Sequence, residues 1–271
     1  MPDSILPFEP RRFRTSVEYY VRGRLAYPDA LIERVVALTA LTRQHAVLDL
    51  GCGPGFLAAA FAPHAGKVIG LDPEPAMLEA AAAYARGKGV DVTFQPGSSY
   101  DLGSLPGPFH LVTMGRSFHW MDRTATLAAL DRIVTPGGAV ALFGDNHLQV
   151  PQNQWHERFK AVREPFAEKD PAHVMTERRD GSWLRHEAFL LQSVFNRLER
   201  ISVVQQVETP VENLIDRALS LSTTSPERLG PEMETMVDQL REVLNREATG
   251  GIIVEVVEFE ALLAFRQKRR E

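Results

Sequence analysis

The segment AVLDLGCGPGF, Ala46 to Phe56, sets three glycines at alternate positions, Gly51, Gly53 and Gly55, between two apolar runs. Glycines there let the backbone turn sharply and let a ligand approach it closely. A helix opening directly after such a turn presents free N–H groups and positive potential. Asp49, at the end of the first run, is placed to support the turn through backbone hydrogen bonds. Asp72 ends the next apolar run, 21 residues after Gly51. An acid at that spacing accepts hydrogen bonds from a ribose hydroxyl pair. Two ligand classes suit a ribose-binding acid beside a glycine turn: a nicotinamide or flavin dinucleotide, and S-adenosylmethionine. The dinucleotide fingerprint wants glycine at its sixth position, where this chain has Phe56.

A second group of residues, Arg116, Ser117, Phe118, His119 and Trp120, follows the fourth apolar run. That position is the carboxyl edge at which open α/β sheets bind ligands. His119 is the general-base candidate, because an imidazole suits proton removal near neutral pH. A phenol, with a pKa of about 10, needs such help. Trp120 is placed to stack on a cofactor or to wall the donor methyl. His147 and His156 are second candidates for the base, and His110 reads as a strand-edge residue. No metal is expected. No two histidines stand in H-x3-H order beside carboxylates, and the single cysteine, Cys52, cannot build a site that needs two or four thiolates.

The elements that must hold these residues show in the hydrophobic pattern. Short apolar runs at Ala46–Leu50, Lys67–Leu71, Val92–Gln95, Phe109–Met114 and Ala139–Phe143 read as buried parallel strands. Helices are expected from Pro28, over Phe56–Ala62, Pro75–Arg86 and Arg123–Val134, the last stopped by Pro136-Gly137-Gly138. This alternation predicts an α/β fold, a doubly wound sheet. Residues 146–200 show no clear strand and are rich in large aromatics such as Trp155, Phe159, Trp183 and Phe189. With helical spacing over 152–166 and 182–197 they read as a helical insertion. The pattern resumes at Ile201–Val207, with helices over Val211–Leu219 and Pro231–Arg246. Ile252–Phe265 is a last long strand, or two short ones broken near Glu258.

Composition narrows the function. Of 271 residues, 30 are Lys or Arg and 35 are Asp or Glu, a formal net charge of −5. An acidic balance disfavours a nucleic-acid partner gripped through its phosphates. No run of apolar residues is long enough to span a membrane. MPDSILPFEPRRFR lacks the apolar core of a secretory signal. A globular cytoplasmic protein is expected, with no membrane partner and with the oligomeric state left open. The basic residues Arg178, Arg179 and Arg185 leave an anionic substrate open as a further expectation.

The order of motifs resembles the class I S-adenosylmethionine-dependent methyltransferases. AVLDLGCGPGF is similar to that family's first motif and LDPEPAML, Leu71 to Leu78, to its second. PGSSYDL falls where the family places an adenine-contacting turn, FHLVTMGRSFHW resembles its fourth-strand motif, and LDRIVTPGGAVAL the motif that follows. YVRGRLAYP and His119-Trp120 point to the small-molecule, type 11-like branch. The match covers about residues 20–145.

The resemblance implies a Rossmann-like seven-stranded sheet and S-adenosyl-L-methionine as cofactor. It implies an N-terminal arm or helix over residues 1–27 that covers the cofactor, with Tyr20 or Arg24 meeting its carboxylate. A cofactor-binding core follows over 28–145, the insertion over 146–200 becomes a substrate cap, and 201–271 completes the sheet. Gly51 carbonyls would take the cofactor's ammonium, Asp72 the ribose, and Ser98 or Ser99 the adenine in place of the family's usual acid. Arg116 and Trp120 join the expected cofactor set. The implied activity is methyl transfer to a small molecule at oxygen. Carbon methylation of a quinone- or isoprenoid-like substrate, or a non-catalytic cofactor-binding subunit, stand as alternatives.

Overall fold

The computed structural model describes residues 14–167 and 184–267. The described residues form a seven-stranded sheet in the order β3-β2-β1-β4-β5-β7-β6. The strands are β1 Ala46–Leu50, β2 Lys67–Asp72, β3 Thr93–Pro96, β4 Phe109–Gly115, β5 Val134–His147, β6 Arg197–Pro210 and β7 Ile252–Phe265. The first five pair in parallel, and β7 runs antiparallel between β5 and β6.

The described helices of six or more residues are α1 Val17–Gly23, α2 Asp29–Thr39, α3 Phe56–Phe61, α4 Pro75–Gly87, α5 Arg123–Ile133, α6 Gln154–Ala167, α7 His186–Leu191, α8 Val211–Leu219 and α9 Met233–Glu247. Their ends follow local chemistry. Pro75 opens α4 with its ring already at a helical φ. The Asp122 carboxylate accepts from Ala125 N–H at 2.9 Å and caps α5. One face of the sheet buries Val47, Leu111 and Phe143 against Leu31, Ile32 and Phe61 of α2 and α3. The other buries Leu48, Val112 and Leu142 against Leu127 and Leu130 of α5 and Leu190 of α7. A third core gathers Trp155 and Phe159 of α6, Leu214 and Ala218 of α8, and Met236 and Leu240 of α9.

Several expectations shift. Strand β5 starts at Val134 and continues to His147, because β7 pairs with it from Ala139↔Phe265 to His147↔Val257 and supplies partners for its polar end. Strand β6 starts at Arg197, inside the segment read as helical to 197 and free of strands to 200. It is the edge strand, so its charged residues face water and dilute the apolar alternation. Of the helix expected over 182–197, α7 occupies only His186–Leu191. Strand β7 is unbroken at Glu258, which stands between buried Val257 and Phe259 on the opposite face. Residues 1–13, and Arg178, Arg179 and Trp183, lie outside the described residues. Among the described residues no helix is long and apolar enough to cross a membrane.

Helix α1 sits directly on α8. A methyl group on Gly23 would lie 2.2 Å from the Arg217 backbone nitrogen. Gly23→Ala should therefore push α1 off α8 and cost about 1–3 kcal/mol, as overpacking does. Gly87→Ala, with nothing within 4 Å of the added carbon, should change stability by less than about 1 kcal/mol. Denaturant titration of both variants checks the contrast, and equal stabilities would refute the close docking of α1.

Candidate functional site

The glycine turn forms as its residue types require. Gly51, Gly53 and Gly55 have φ of 67°, 51° and 80°, a region in which only glycine sits without strain. Gly51 and Cys52 donate their N–H groups to the Leu71 carbonyl at 2.8 and 3.0 Å, which ties the turn to the end of β2. Nothing lies within 4 Å of the place a Gly53 side chain would occupy. At Gly51 a side chain would strike Ser117 Cβ at 2.7 Å. Ser117 Oγ in turn donates to the Leu50 carbonyl at 2.9 Å, joining the turn to the loop after β4.

Two buried acids hold this turn. Asp49 Oδ2 accepts from Ala58 N–H at 3.0 Å and its Oδ1 from Thr113 Oγ1 at 2.8 Å, the supporting role its position implies. Burial pushes the Asp49 carboxyl up to about 7, against those two donors. Asp72 Oδ2 accepts from Gly53 N–H at 2.8 Å and its Oδ1 from Glu74 N–H at 2.9 Å. Burial also raises Asp72, to about 6, although both donors favour its charge. A carboxylate has about four acceptor positions, so two remain on Asp72.

The turn after β3 lies next to Asp72, whose carbonyl accepts from Gly97 N–H at 3.2 Å. Ser98 donates both its N–H and its hydroxyl to the Asp101 carboxylate, at 2.7 and 2.8 Å. An acid therefore does stand at this turn, three residues later than the family pattern places it. Ser99 is half-buried in the same turn.

Beyond the turn, a cavity of about 420 Å³ opens between the ends of β4 and β5 and helix α7. It brings together Arg24, Arg116 and His119 from the expected set, with Asp145, His186 and Arg200. Arg116 is a non-glycine residue at φ 54°, a strained conformation that marks functional loops. Its guanidinium pairs with Asp145 and lies 4.8 Å from the centre of the Tyr27 ring. Burial opposes the Arg116 charge, yet Asp145 holds it above the ordinary arginine range. Asp145 is itself buried, and Arg116 and Arg24 hold it below the usual carboxylate range. Arg24 Nε donates to Ser220 Oγ at 2.8 Å, and its guanidinium lies 5.1 Å from the Tyr20 ring. Among the described residues no carboxylate is in salt-bridge contact with Arg24; burial lowers its pKa, while Asp145 acts on it at longer range. Tyr20 in turn sits with its ring 6.3 Å from Phe56, the first residue after the glycines. His119 packs against Trp120 at 4.9 Å between ring centres.

Other expected residues stand elsewhere. His147 Nε2 meets Glu255 at 2.6 Å, and its ring packs against Trp155. His156 is pushed down to about 3 by burial and by His147. Neither lines the cavity, and so neither of these second candidates for the base is placed to serve it. Trp155 belongs to the third core and not to the cavity wall. His110 is the strand-edge residue its position implied, with Nε2 2.6 Å from the Thr39 carbonyl. Among the described residues no group of three or more His, Cys, Asp or Glu side chains could hold a metal ion.

Sequence reasoning missed four contributors. Asp101 had a signal, an acid three residues after a serine in a turn. Asp145 and His186 had none, being distant in sequence from the partners they meet. Tyr27 is 7% exposed, and its buried hydroxyl has no hydrogen-bond partner, although it approaches Gly115.

Known proteins share both sequence and architecture with this chain. Residues 47–138 match the family model described as "Methyltransferase domain". The Bacillus subtilis methyltransferase YcgJ is 31% identical over 133 residues, 48% of this chain and 51% of that protein. A ubiquinone biosynthesis O-methyltransferase from Methylococcus capsulatus is 35% identical over 108 residues, 39% of this chain and 45% of that protein. The chain thus spans about half the length of the curated relatives it matches. A solved methyltransferase from Thiobacillus denitrificans, in complex with S-adenosyl-L-homocysteine, shares the fold with a TM-score of 0.52 and 19% identity, covering 96% of this chain and 99% of that one. Residues 47–138 of this chain thus match a methyltransferase domain, and the described sheet shares the fold of solved methyltransferases.

Proposed function

We propose that this protein transfers a methyl group from S-adenosylmethionine to an oxygen of a small molecule. The observation that carries the proposal is the continuity between the glycine turn and the cavity holding His119, joined through Ser117. The residues fit the cofactor. Gly53 leaves open space where a side chain would stand, Asp72 keeps acceptor positions, and Arg24 is a cation with no carboxylate partner among the described residues. When bound, S-adenosylmethionine supplies a methyl group already activated on a sulfonium. Much of the protein's work is then positioning and exclusion of water.

In this reading Asp72 accepts the ribose hydroxyls and the turn after β3 faces the adenine. Arg24 pairs with the amino-acid carboxylate, and Tyr20 braces Arg24. Asp49 takes no ligand, because its oxygens serve Ala58 and Thr113. Arg116, tied to Asp145, shapes the cavity wall. His119 takes the proton of the acceptor hydroxyl. Helix α7 and its flanks roof the acceptor side as part of the cap expected over 146–200.

Asp72 gives the cofactor site a pH dependence with a definite sign. Its folded pKa of about 6 lies above the ordinary carboxylate value. Its protonated form is therefore favoured by folding, and the stability gained from that protonation is lost as pH rises through about 6. Ribose hydroxyls donate more strongly to the ionised form, whose oxygens are both acceptors. S-adenosylhomocysteine should therefore bind more weakly below about pH 6 and should release a proton on binding near that pH. Asp72→Asn should weaken binding by about 2–4 kcal/mol at neutral pH and abolish the proton release. Calorimetry in buffers of different ionisation enthalpy reads both quantities, and unchanged affinity in a folded variant would remove Asp72 from the site.

The acceptor half is tested by turnover. Hydroxylated arenes and hydroxy acids, offered with S-adenosylmethionine labelled at the methyl carbon, should yield O-methyl products. His119→Ala should lower the methyl-transfer rate roughly 10²–10⁴-fold and leave S-adenosylhomocysteine affinity unchanged. Methyl groups found on carbon, or a variant whose only loss is cofactor binding, would reject the role of His119.

A further inference from the structure

We infer that His186 donates a hydrogen bond to the acceptor molecule, and that the acceptor therefore carries a second oxygen beside the one that is methylated. The inference rests on the proposed methyl transfer to oxygen and names the substrate class of that same cavity.

His186 opens α7, outside the residues 47–138 that match the family model. It nevertheless lines the cavity that His119 lines. The two imidazole planes differ by 20°, and their centres stand 6.5 Å apart. Two hydrogen bonds of about 2.8 Å each can reach from such a pair to neighbouring oxygens of one small molecule.

The environment fixes which nitrogen of His186 carries the proton. Arg123 Nη1 stands 3.4 Å from His186 Nδ1. A guanidinium only donates, so Nδ1 presents its lone pair and the proton resides on Nε2. The same Nη1 donates to the Leu184 carbonyl at 2.7 Å, pinning the chain on the near side of Arg185. The Phe118 ring flanks His186 at 5.2 Å. Burial, then Arg123, pushes the imidazole down to about 4, which keeps it neutral at physiological pH. The structure gives Nε2–H no partner among the described residues. A neutral imidazole held this way is a donor with no lone pair to offer at Nε2. It cannot share the work of His119, and the division of labour follows: His119 receives a proton, and His186 gives a hydrogen bond to an oxygen next to the reacting one. Molecules of that class are vicinal diols, above all ortho-dihydroxy arenes, and α-hydroxy carbonyl compounds.

The test uses the full chain labelled with ¹⁵N-histidine, saturated with S-adenosylhomocysteine, and two probes, catechol and phenol. His186 should show a bare Nδ1 and a protonated Nε2 from pH 7 down to pH 5, and catechol should shift Nε2 where phenol does not. His186→Leu should weaken catechol binding roughly tenfold with S-adenosylhomocysteine affinity unchanged. His186→Gln, which returns an N–H near the same place, should recover most of that loss. A proton on Nδ1, equal shifts from both probes, or no shift from either overturns the inference. So does a His186→Leu variant that folds and binds catechol as the wild type does. If His186→Leu fails to fold, the spectra of the wild type and the His186→Gln titration decide. Failure of the wild type to bind S-adenosylhomocysteine would instead sink the methyltransferase reading, and the tautomer of His186 would still be read separately.

Discussion

The Asp72 carboxylate joins two backbone segments that would otherwise separate. It accepts from Gly53 N–H in the turn after β1 and from Glu74 N–H at the entry to α4. A carboxylate taken out of water is costly unless hydrogen bonds compensate it, and bonds from N–H to an anion are among the stronger ones. Asp72 therefore fixes the distance between the turn after β1 and the entry to α4. Asp49 repeats the device one strand-end away, binding α3 through Ala58 and β4 through Thr113. The two acids raise one another's cost, since Asp72 contributes to the upward shift of Asp49. The turn brings the Gly53 N–H to Asp72, and the positive φ of Gly51, Gly53 and Gly55 is what lets the backbone take that path.

A second buried charge network does the same for the N-terminal helix. Glu255 of β7, 0% exposed, accepts from Arg217 Nη1 and Nη2 at 2.6 and 2.8 Å, from Thr209, and meets His147. Arg217 Nε then donates to the Gly23 carbonyl at 2.8 Å, one residue before Arg24. Arg22–Asp216 and Arg24–Ser220 extend this contact along α8. Buried pairs of this kind add little net stability, but losing one partner leaves the other uncompensated. Their value here is register: strands β5, β6 and β7 together dictate where Tyr20 and Arg24 stand. Residues far from the family's matched region thus position part of the candidate site.

This explains what the sequence disclosed and what it did not. The glycine turn, Asp72 and the strand–helix alternation to residue 145 were legible because their determinants are local. A turn needs glycine, a buried parallel strand needs a run of apolar residues, and an acid at the end of β2 lies at a fixed spacing. His119 was legible for the same reason, since its place after β4 follows from strand order. The edge strand β6 was obscured because Arg197, Glu199 and Arg200 face water. His147 misled because its meaning lies in Glu255, distant in sequence at 108 positions away. His186 carried no signal, because a histidine before an apolar stretch reads as a helix start until the fold brings it to His119.

If the cavity takes the acceptor as proposed, the same pairings bear on what kind of acceptor it suits. Arg116 is matched by Asp145, and Arg200 by both Glu187 and Glu260. Arg185, one of the arginines that left an anionic substrate open, leans on Glu187 at 3.4 Å and is mostly exposed. Arg24 is the cation among these without a carboxylate partner in the described residues, and on the proposed reading the cofactor's carboxylate takes it. Beside these matched charges the cavity wall carries the imidazoles of His119 and His186 and apolar side chains of Met114, Phe118 and Leu142. A fully charged acceptor would lose its water without gaining an ion pair, whereas an uncharged polyhydroxy or hydroxy-carbonyl molecule exchanges water for directed hydrogen bonds. On the proposed reading the cavity selects by the placement of donor and acceptor rather than by charge, which is the property a pair of imidazoles supplies.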